Sequence, residues 1–305
     1  MSNKDSPKLD NDTLVEIVKR HPDYQEFHSP EYLRVLEAMR GVDRKKFLPD
    51  VLLGLTVVDR EGLGMMHQII RDLQTIDQRS QTAGKLILPG AEPRQEEYAQ
   101  AQHLLIGGLI GSAIKVVSSG QIIYVTVRDA AYSDSILPIG HGQTCSQPSL
   151  VAFRGYFLGL EEGMKVLEIG SGCGYSAAIT SELIGPSGHL VTMEIIPELA
   201  ELARRNLENH FGKEGLERRL EVIPDDGSVG SVKYAPFDRI YLTAGIKSSF
   251  DPSILAKQLN PNGGVLLFPE ERGDLIRQRY EGGKPIGQPE KWGNVGFVPL
   301  QGKNT

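Results

Sequence analysis

From Met164 onward the chain alternates short apolar runs with amphipathic ones, and that alternation constrains the fold more than any other feature. "MKVLEIG", "HLVTMEI", "RLEVIPDDG", "FDRIYLTAG" and "GGVLLFPE" read as strands. Between them "YSAAITSELI", "PELAELARRNLENHF" (Pro197 near its start) and "SSFDPSILAKQLN" read as helices. Parallel strands cannot be joined by a tight turn, so a repeated strand-then-helix order implies a parallel sheet covered by helices on both faces. The expected class is therefore α/β, with a doubly wound, mostly parallel sheet. Its crossovers should be right-handed, and its ligands should sit beyond the carboxyl ends of the strands.

The upstream half is organised differently. "DTLVEIVKR" and "SPEYLRVLEAMRGV" read as helices, the second capped by Ser29 with Pro30 in its first turn and Leu33, Leu36 and Met39 on one face. Residues 51–128 hold a helical stretch around "GMMHQIIRDLQ", a break at "LPGAEPRQ", a helix through "EEYAQAQHLLIGGLIGSAIKVV" and the β-branched run "QIIYVTV". That mixture predicts an inserted α+β subdomain between an N-terminal helical segment, 1–50, and a main domain, 129–305. Next comes "LPIGHGQTCSQPSLVAF", which lacks the hydrophobic period of a strand. Its Pro138, Gly140, Gly142 and Pro148 argue against a helix before Ser149. Such a loop either connects two elements or presents hydroxyl and amide groups to a ligand.

Composition excludes several partners. A chain of 305 residues that is 40% hydrophobic can bury a substantial core, and its net charge of −6 gives no support for a nucleic-acid or anionic-membrane partner. Cys145 and Cys173 form neither a disulfide framework nor a metal-knuckle spacing. The polar opening "MSNKDSPKLDNDT" lacks the apolar core of a signal peptide, and the run Leu104 to Val117 is too short to span a bilayer and carries Lys115. A soluble cytoplasmic protein is expected.

The chemistry concentrates where that sheet predicts a ligand. In "VLEIGSGCGYS" Gly170, Gly172 and Gly174 alternate between a strand and a helix, which lets the backbone approach a ligand closely. A dinucleotide fingerprint needs a small third residue where Tyr175 stands, so the turn suits a nucleoside without phosphates. Glu168 adds a strand-end carboxylate suited to an amino-acid ammonium. Glu194, closing the next strand, can take both hydroxyls of a ribose, or is a solvated strand-end carboxylate. Asp226-Gly227 after the third strand can accept the exocyclic amine of adenine, or is an Asp-Gly turn. Asp225 and Asp226 have no third ligand at useful spacing, so no metal is expected. Jointly the three strand ends describe S-adenosylmethionine (SAM).

"VLEIGSGCGYSAA", "VTMEII", "DDGSVG" and "APFDRIYLTAG" resemble successive motifs of the protein-L-isoaspartate O-methyltransferase family. "AYSDSILPIGHGQTCSQP" resembles that family's own signature, "VLEAMRGVDRKKFLP" its amino-terminal helix and "GNVGFVPLQG" its carboxyl-terminal strand. The resemblance implies a Rossmann-like SAM-dependent methyltransferase fold over 129–305. It also implies methylation of the isoaspartyl α-carboxylate in damaged proteins or peptides, with Ser146 as the active-site serine. Thr144 and Ser146 would then hold that carboxylate while SAM supplies the methyl group, initiating repair through a succinimide. Three departures stand out: Cys145 for an aliphatic residue, Asp225 for a glycine, and the insertion 51–128 where the family has a short connection. The insertion is either a surface elaboration or a module that redirects the acceptor or recruits a partner. A non-catalytic SAM-binding interaction module is the reading from another class. Cys145 and Cys173 would flank the pocket, as buried small residues or as a redox pair.

Overall fold

Helix capping and apolar stripes build the first elements of the chain. The computed structural model describes residues 10–22, 29–49, 114–118, 121–125 and 131–305. The chain divides into two units, one of Met1–Gln25 with Asp43–Ser149 and the other of Glu26–Val42 with Leu150–Thr305. The expected helices around "GMMHQIIRDLQ" and over 96–113, with the break at "LPGAEPRQ", lie outside the described residues.

In the first unit, α1 (Asn11–Lys19) begins where the Asp10 carboxylate accepts from Thr13 N at 3.1 Å, and Leu14, Val15 and Val18 form its buried stripe. A 3-10 turn, Arg44–Lys46, follows Asp43, whose side chain accepts from Lys45 N. Two strands, β1 (Ile114–Ser118) and β2 (Gln121–Val125), pair antiparallel with Ile114 opposite Val125. The helix expected to continue through "IKVV" is corrected here: Ile114, Val116 and Val117 are β-branched and lie in a strand.

A second correction concerns the loop. β3 (Leu137–Gly140) and β4 (Gln143–Cys145) form a short antiparallel hairpin, with Leu137 opposite Cys145 and Pro138 opposite Thr144. Its two turn residues have positive φ, 55° at His141 and 70° at Gly142, the requirement of a two-residue turn matched to strand twist. The alternation was present but minimal: Leu137 and Ile139 are buried, while Pro138 and Gly140 are not.

The second unit opens with α2 (Pro30–Gly41), where Ser29 accepts from Tyr32 N as expected. Its buried stripe is Tyr32, Val35, Leu36 and Met39, and Leu33 is 44% exposed. Leu33 is therefore not on the packed face: the helical period runs through the aromatic residue before it. α3 (Pro148–Leu158) starts at Pro148 itself, where a missing N–H costs nothing.

From there the alternating pattern becomes β5 (Lys165–Ile169), α4 (Tyr175–Ile184), β6 (His189–Met193), α5 (Pro197–Phe211), α6 (Lys213–Arg219), β7 (Leu220–Ile223), β8 (Arg239–Leu242), α7 (Ser253–Ala256) and β9 (Gly264–Pro269). β10 (Arg272–Glu281) and β11 (Lys284–Gly296) then add an antiparallel hairpin. The sheet order is β11-β10-β9-β8-β5-β6-β7, with β7, β6, β5, β8 and β9 parallel. β5 sits between β6 and β8, so the chain winds outward on one side and returns on the other. The switch point lies at the carboxyl end of β5, where such sheets bind ligands.

β9 is buried at every position, as a strand covered on both faces must be. "SSFDPSILAKQLN" is helical only over Ser253–Ala256, and α6 was not anticipated. "FVPL" is not the end of a sheet strand. β11 stops at Gly296, and Val298 and Leu300 instead bond Gly245, with both N–O distances 2.8 Å. Among the described residues no helix is long and apolar enough to cross a membrane, and no group of three or more His, Cys, Asp or Glu side chains could hold a metal ion.

Candidate active site

The parallel register brings the three strand ends together. Gly170 N donates to Met193 O at 2.8 Å, Glu194 N to Ile223 O at 3.0 Å, and Thr243 N to Ile169 O at 2.9 Å. The turn that follows β5 has φ of +97° at Gly170, +53° at Gly172 and +87° at Gly174. L side chains rarely adopt that backbone, so three alternate glycines reflect a left-handed requirement at each. At Gly170 space adds a second reason, since a Cβ there would fall 2.2 Å from Thr243 Oγ1.

Glu194 folds back over this turn. Its Oε2 accepts from Gly172 N at 2.9 Å and its Oε1 from Ile196 N at 3.1 Å, leaving the residue 6% exposed. The carboxylate is thus fixed directly against the glycine backbone. Asp226, partly exposed, caps the next turn, Gly227–Val229. Its Oδ1 accepts from Ser228 N at 2.9 Å and its Oδ2 from Lys303 N at 2.8 Å. Burial pushes its carboxyl upward, but the bonds from Ser228 and Lys303 outweigh that and hold it below the ordinary range. Gly227 has a packing reason for its identity: a Cβ there would lie 2.9 Å from Ile169 Cγ2 and 3.2 Å from Met193 Cβ. Asn304 fastens the same turn, its N donating to Ser228 Oγ and its Nδ2 to the Ser228 and Asp251 carbonyls.

Glu168 is placed differently from the other candidates. It is fully buried, and its oxygens accept from Thr192 Oγ1 at 2.6 Å and Tyr241 OH at 2.7 Å. Register explains this: Thr192 on β6 and Tyr241 on β8 stand directly opposite Glu168, so all three side chains leave the same face. The chain of bonds continues from Ser171 Oγ to Thr192 Oγ1 at 2.6 Å, and from Thr180 and Ser176 on α4 to the Tyr241 hydroxyl at 2.9 and 3.2 Å. Arg154, almost entirely buried, donates to Ser176 and lies over the Tyr241 ring. Burial raises the Glu168 carboxyl above its ordinary range, with Arg154 and the hydrogen bonds pulling the other way. This network lies beneath the glycine turn, and none of its members except Glu168 was anticipated.

The hairpin belongs to the first unit. Thr144 and Ser146 are partly exposed, and neither hydroxyl has a hydrogen-bond partner among the described residues. Asp134 ties the two flanks of the segment, accepting from Gln147 Nε2 at 3.1 Å and Ser149 N at 2.8 Å. Beneath the hairpin lies Arg44, fully buried, which sequence reasoning passed over. Its Nη1 donates to the Ala131 and Ser133 carbonyls at 3.2 and 2.9 Å, and its Nη2 to those of Ser135 and Ser146 at 2.7 and 3.1 Å. Its acceptors are peptide oxygens, which no residue type encodes. The only sequence trace was the single arginine inside "VDRKKFLP". Cys145 and Cys173 are both buried free thiols.

A doubly wound sheet whose switch point carries a glycine turn and a flanking strand-end carboxylate defines a Rossmann-like fold of the SAM-dependent methyltransferase class. The comparisons narrow it: a family model described as protein-L-isoaspartate(D-aspartate) O-methyltransferase matches residues 97–305, and the chain belongs to that family. The match begins inside the segment expected to be an insertion, 51–128. Protein-L-isoaspartate O-methyltransferase 2 of Archaeoglobus fulgidus is 41% identical over 207 residues, covering 66% of this chain and 89% of that protein. The Methanosarcina mazei protein-L-isoaspartate O-methyltransferase is 38% identical over 221 residues, 69% of this chain and 87% of its own. Among solved structures, the chain shares its fold with a putative protein-L-isoaspartate O-methyltransferase from Plasmodium falciparum in complex with S-adenosyl-L-homocysteine. That likeness has a TM-score of 0.58 at 17% identity and covers 96% of this chain and 98% of that one.

Proposed function

We propose that this protein transfers a methyl group from SAM to the α-carboxylate of L-isoaspartyl residues in proteins or peptides. Without the enzyme the following peptide nitrogen attacks the ester carbonyl and expels methanol, giving a succinimide whose hydrolysis returns part of the residue to aspartate. The observation that carries the reading is the family match over 97–305, which takes in both the hairpin with its two uncommitted hydroxyls and the three strand ends.

The residues of the switch point fit a nucleoside with an amino-acid tail. Gly170, Gly172 and Gly174 keep side chains out of the turn, Glu194 is fixed against its backbone for a ribose, and the partly exposed Asp226 offers an acceptor to an adenine amine. Glu168, with both oxygens engaged inside the sheet, serves the cofactor by holding the turn through Thr192 and Ser171. SAM supplies a methyl group already activated by its sulfonium, so the acceptor needs neither a covalent intermediate nor a strong base. An α-carboxylate with pKa of about 3.5 is ionised at neutral pH. What the chain must do is strip water from it and align one oxygen with the methyl group. Thr144 and Ser146 hold the carboxylate by donating hydroxyl hydrogens, which orients it without neutralising it. Ser146 is not a nucleophile in this scheme.

The test is to incubate the protein with labelled SAM and matched peptides containing isoaspartate or aspartate. Base-labile label on the isoaspartyl peptide alone is the expected result. Equal labelling of both peptides, or label on neither while SAM binds, would overturn the assignment and favour an acceptor set by residues 51–128 or a binding module.

A further inference from the structure

Arg44 is a full positive charge with no exposure to solvent, held by the backbone of a segment nearly a hundred residues downstream. Burying a guanidinium is unfavourable unless its donors are met, and here four carbonyls meet those of its two terminal nitrogens. A compact ammonium could not replace it, because only the planar fork reaches several fixed acceptors at once. The turn that carries Arg44 is itself anchored: Asn11 Oδ1 accepts from Arg44 N, and Tyr132 OH donates to Asp43 at 3.0 Å.

One of the four carbonyls belongs to Ser146. The cis peptide bond among the described residues is Ala235-Pro236, so the peptide joining Ser146 to Gln147 is trans. In a trans peptide the C=O and N–H point in opposite directions. Drawing the Ser146 oxygen toward the buried guanidinium therefore turns the Gln147 N–H away from it, and neither that N–H nor the Ser146 hydroxyl has a hydrogen-bond partner among the described residues. Two adjacent donors of this kind suit the two oxygens of a carboxylate.

We propose that Arg44 is the positioning residue of the acceptor site. By holding the Ser146 carbonyl inward, it fixes the Ser146 hydroxyl and the Gln147 N–H as a pair of donors for the substrate carboxylate. This rests on the assignment of the hairpin to the acceptor, and the experiment separates the two. Arg44→Lys, Ser146→Ala and the double variant are compared with the parent for SAM affinity by calorimetry and for kcat and KM on an isoaspartyl peptide. Arg44→Lys is expected to lose about 100-fold in kcat/KM, the scale of an ångström-sized misplacement, while SAM affinity stays within about threefold. The double variant should be no worse than Ser146→Ala by more than about threefold, because residues acting as a unit are not additive.

Unchanged peptide kinetics in Arg44→Lys, losses that multiply in the double variant, or a parallel fall in SAM affinity would each reduce Arg44 to a buttress of the fold. If Ser146→Ala matches the parent, the acceptor assignment itself fails and takes this proposal with it. Should Arg44→Lys not fold, Tyr132→Phe cuts the tie from Asp43 to the same segment without stranding a charge. It should lower peptide kcat/KM several-fold at constant SAM affinity, and no change would count against the proposal.

Discussion

The hairpin over 137–145 and the glycine turn over 170–174 are both irregular, both rich in small polar residues, and held in place by opposite means. The hairpin hangs on one buried cation whose acceptors are carbonyls of residues 131–146. The glycine turn is held by strand register and by a buried carboxylate, Glu168, whose donors are side chains of the neighbouring strands. A single long side chain concentrates control in one residue, whereas a register shares it among many. Substitutions should therefore be severe and local in the first region and graded in the second, except where backbone space itself is at stake.

The largest effect is expected at such an exception. Gly170→Ala places a methyl 2.2 Å from Thr243 Oγ1 at a φ of +97°, and should cost on the order of 3 kcal/mol, read as a drop in denaturant midpoint with loss of SAM binding. Adding Thr243→Ala should recover the steric share and leave the conformational strain. Full recovery, or none, would contradict the two-part cause. Ser146→Ala comes next, with turnover on isoaspartyl peptide falling about 100-fold and SAM affinity unchanged. Equal loss of both would move Ser146 out of the acceptor role.

Asn304→Ala should be milder, about 1–2 kcal/mol from its lost side-chain bonds to Ser228 and Asp251. Because those bonds secure the turn capped by Asp226, SAM affinity should weaken about threefold with peptide KM unmoved, which calorimetry and steady-state kinetics can separate. The smallest effect is a slope. The Glu168 carboxyl is raised in the fold, so its stabilising contribution is complete below the unfolded carboxyl range and is lost as pH rises through the raised value. Glu168→Gln removes that titration and should flatten the decline of stability with rising pH above the ordinary carboxyl range. A slope identical to the parent's in denaturation across pH would show that Glu168 ionises as it does in the unfolded chain.

Much of the second unit was legible in the residues because its signals are local. The runs that became β5, β6, β8 and β9 are continuous apolar stretches, and Ser29 and Pro30 mark a helix start by hydrogen-bond chemistry within one turn. Reading failed where the signal was too short or lay on a neighbour. Two buried residues, Leu137 and Ile139, were too few to declare a strand, and Leu33 was assigned to a stripe that runs through Tyr32. Helical readings were also too long at Ile114–Val117 and around Ser253–Ala256.

The order of residues determined the alternation of strand and helix, and with it a doubly wound sheet and a glycine turn at its centre, because periodicity and conformational preference are written along the chain. It also put forward Glu194, Asp226 and Ser146 as candidate site residues. Tertiary structure alone decided that Glu168 turns inward, since that depends on standing opposite Thr192 and Tyr241. It alone decided that Arg44 reaches the Ser146 carbonyl, because a peptide oxygen has the same chemistry at every residue and only packing selects which ones a buried guanidinium meets.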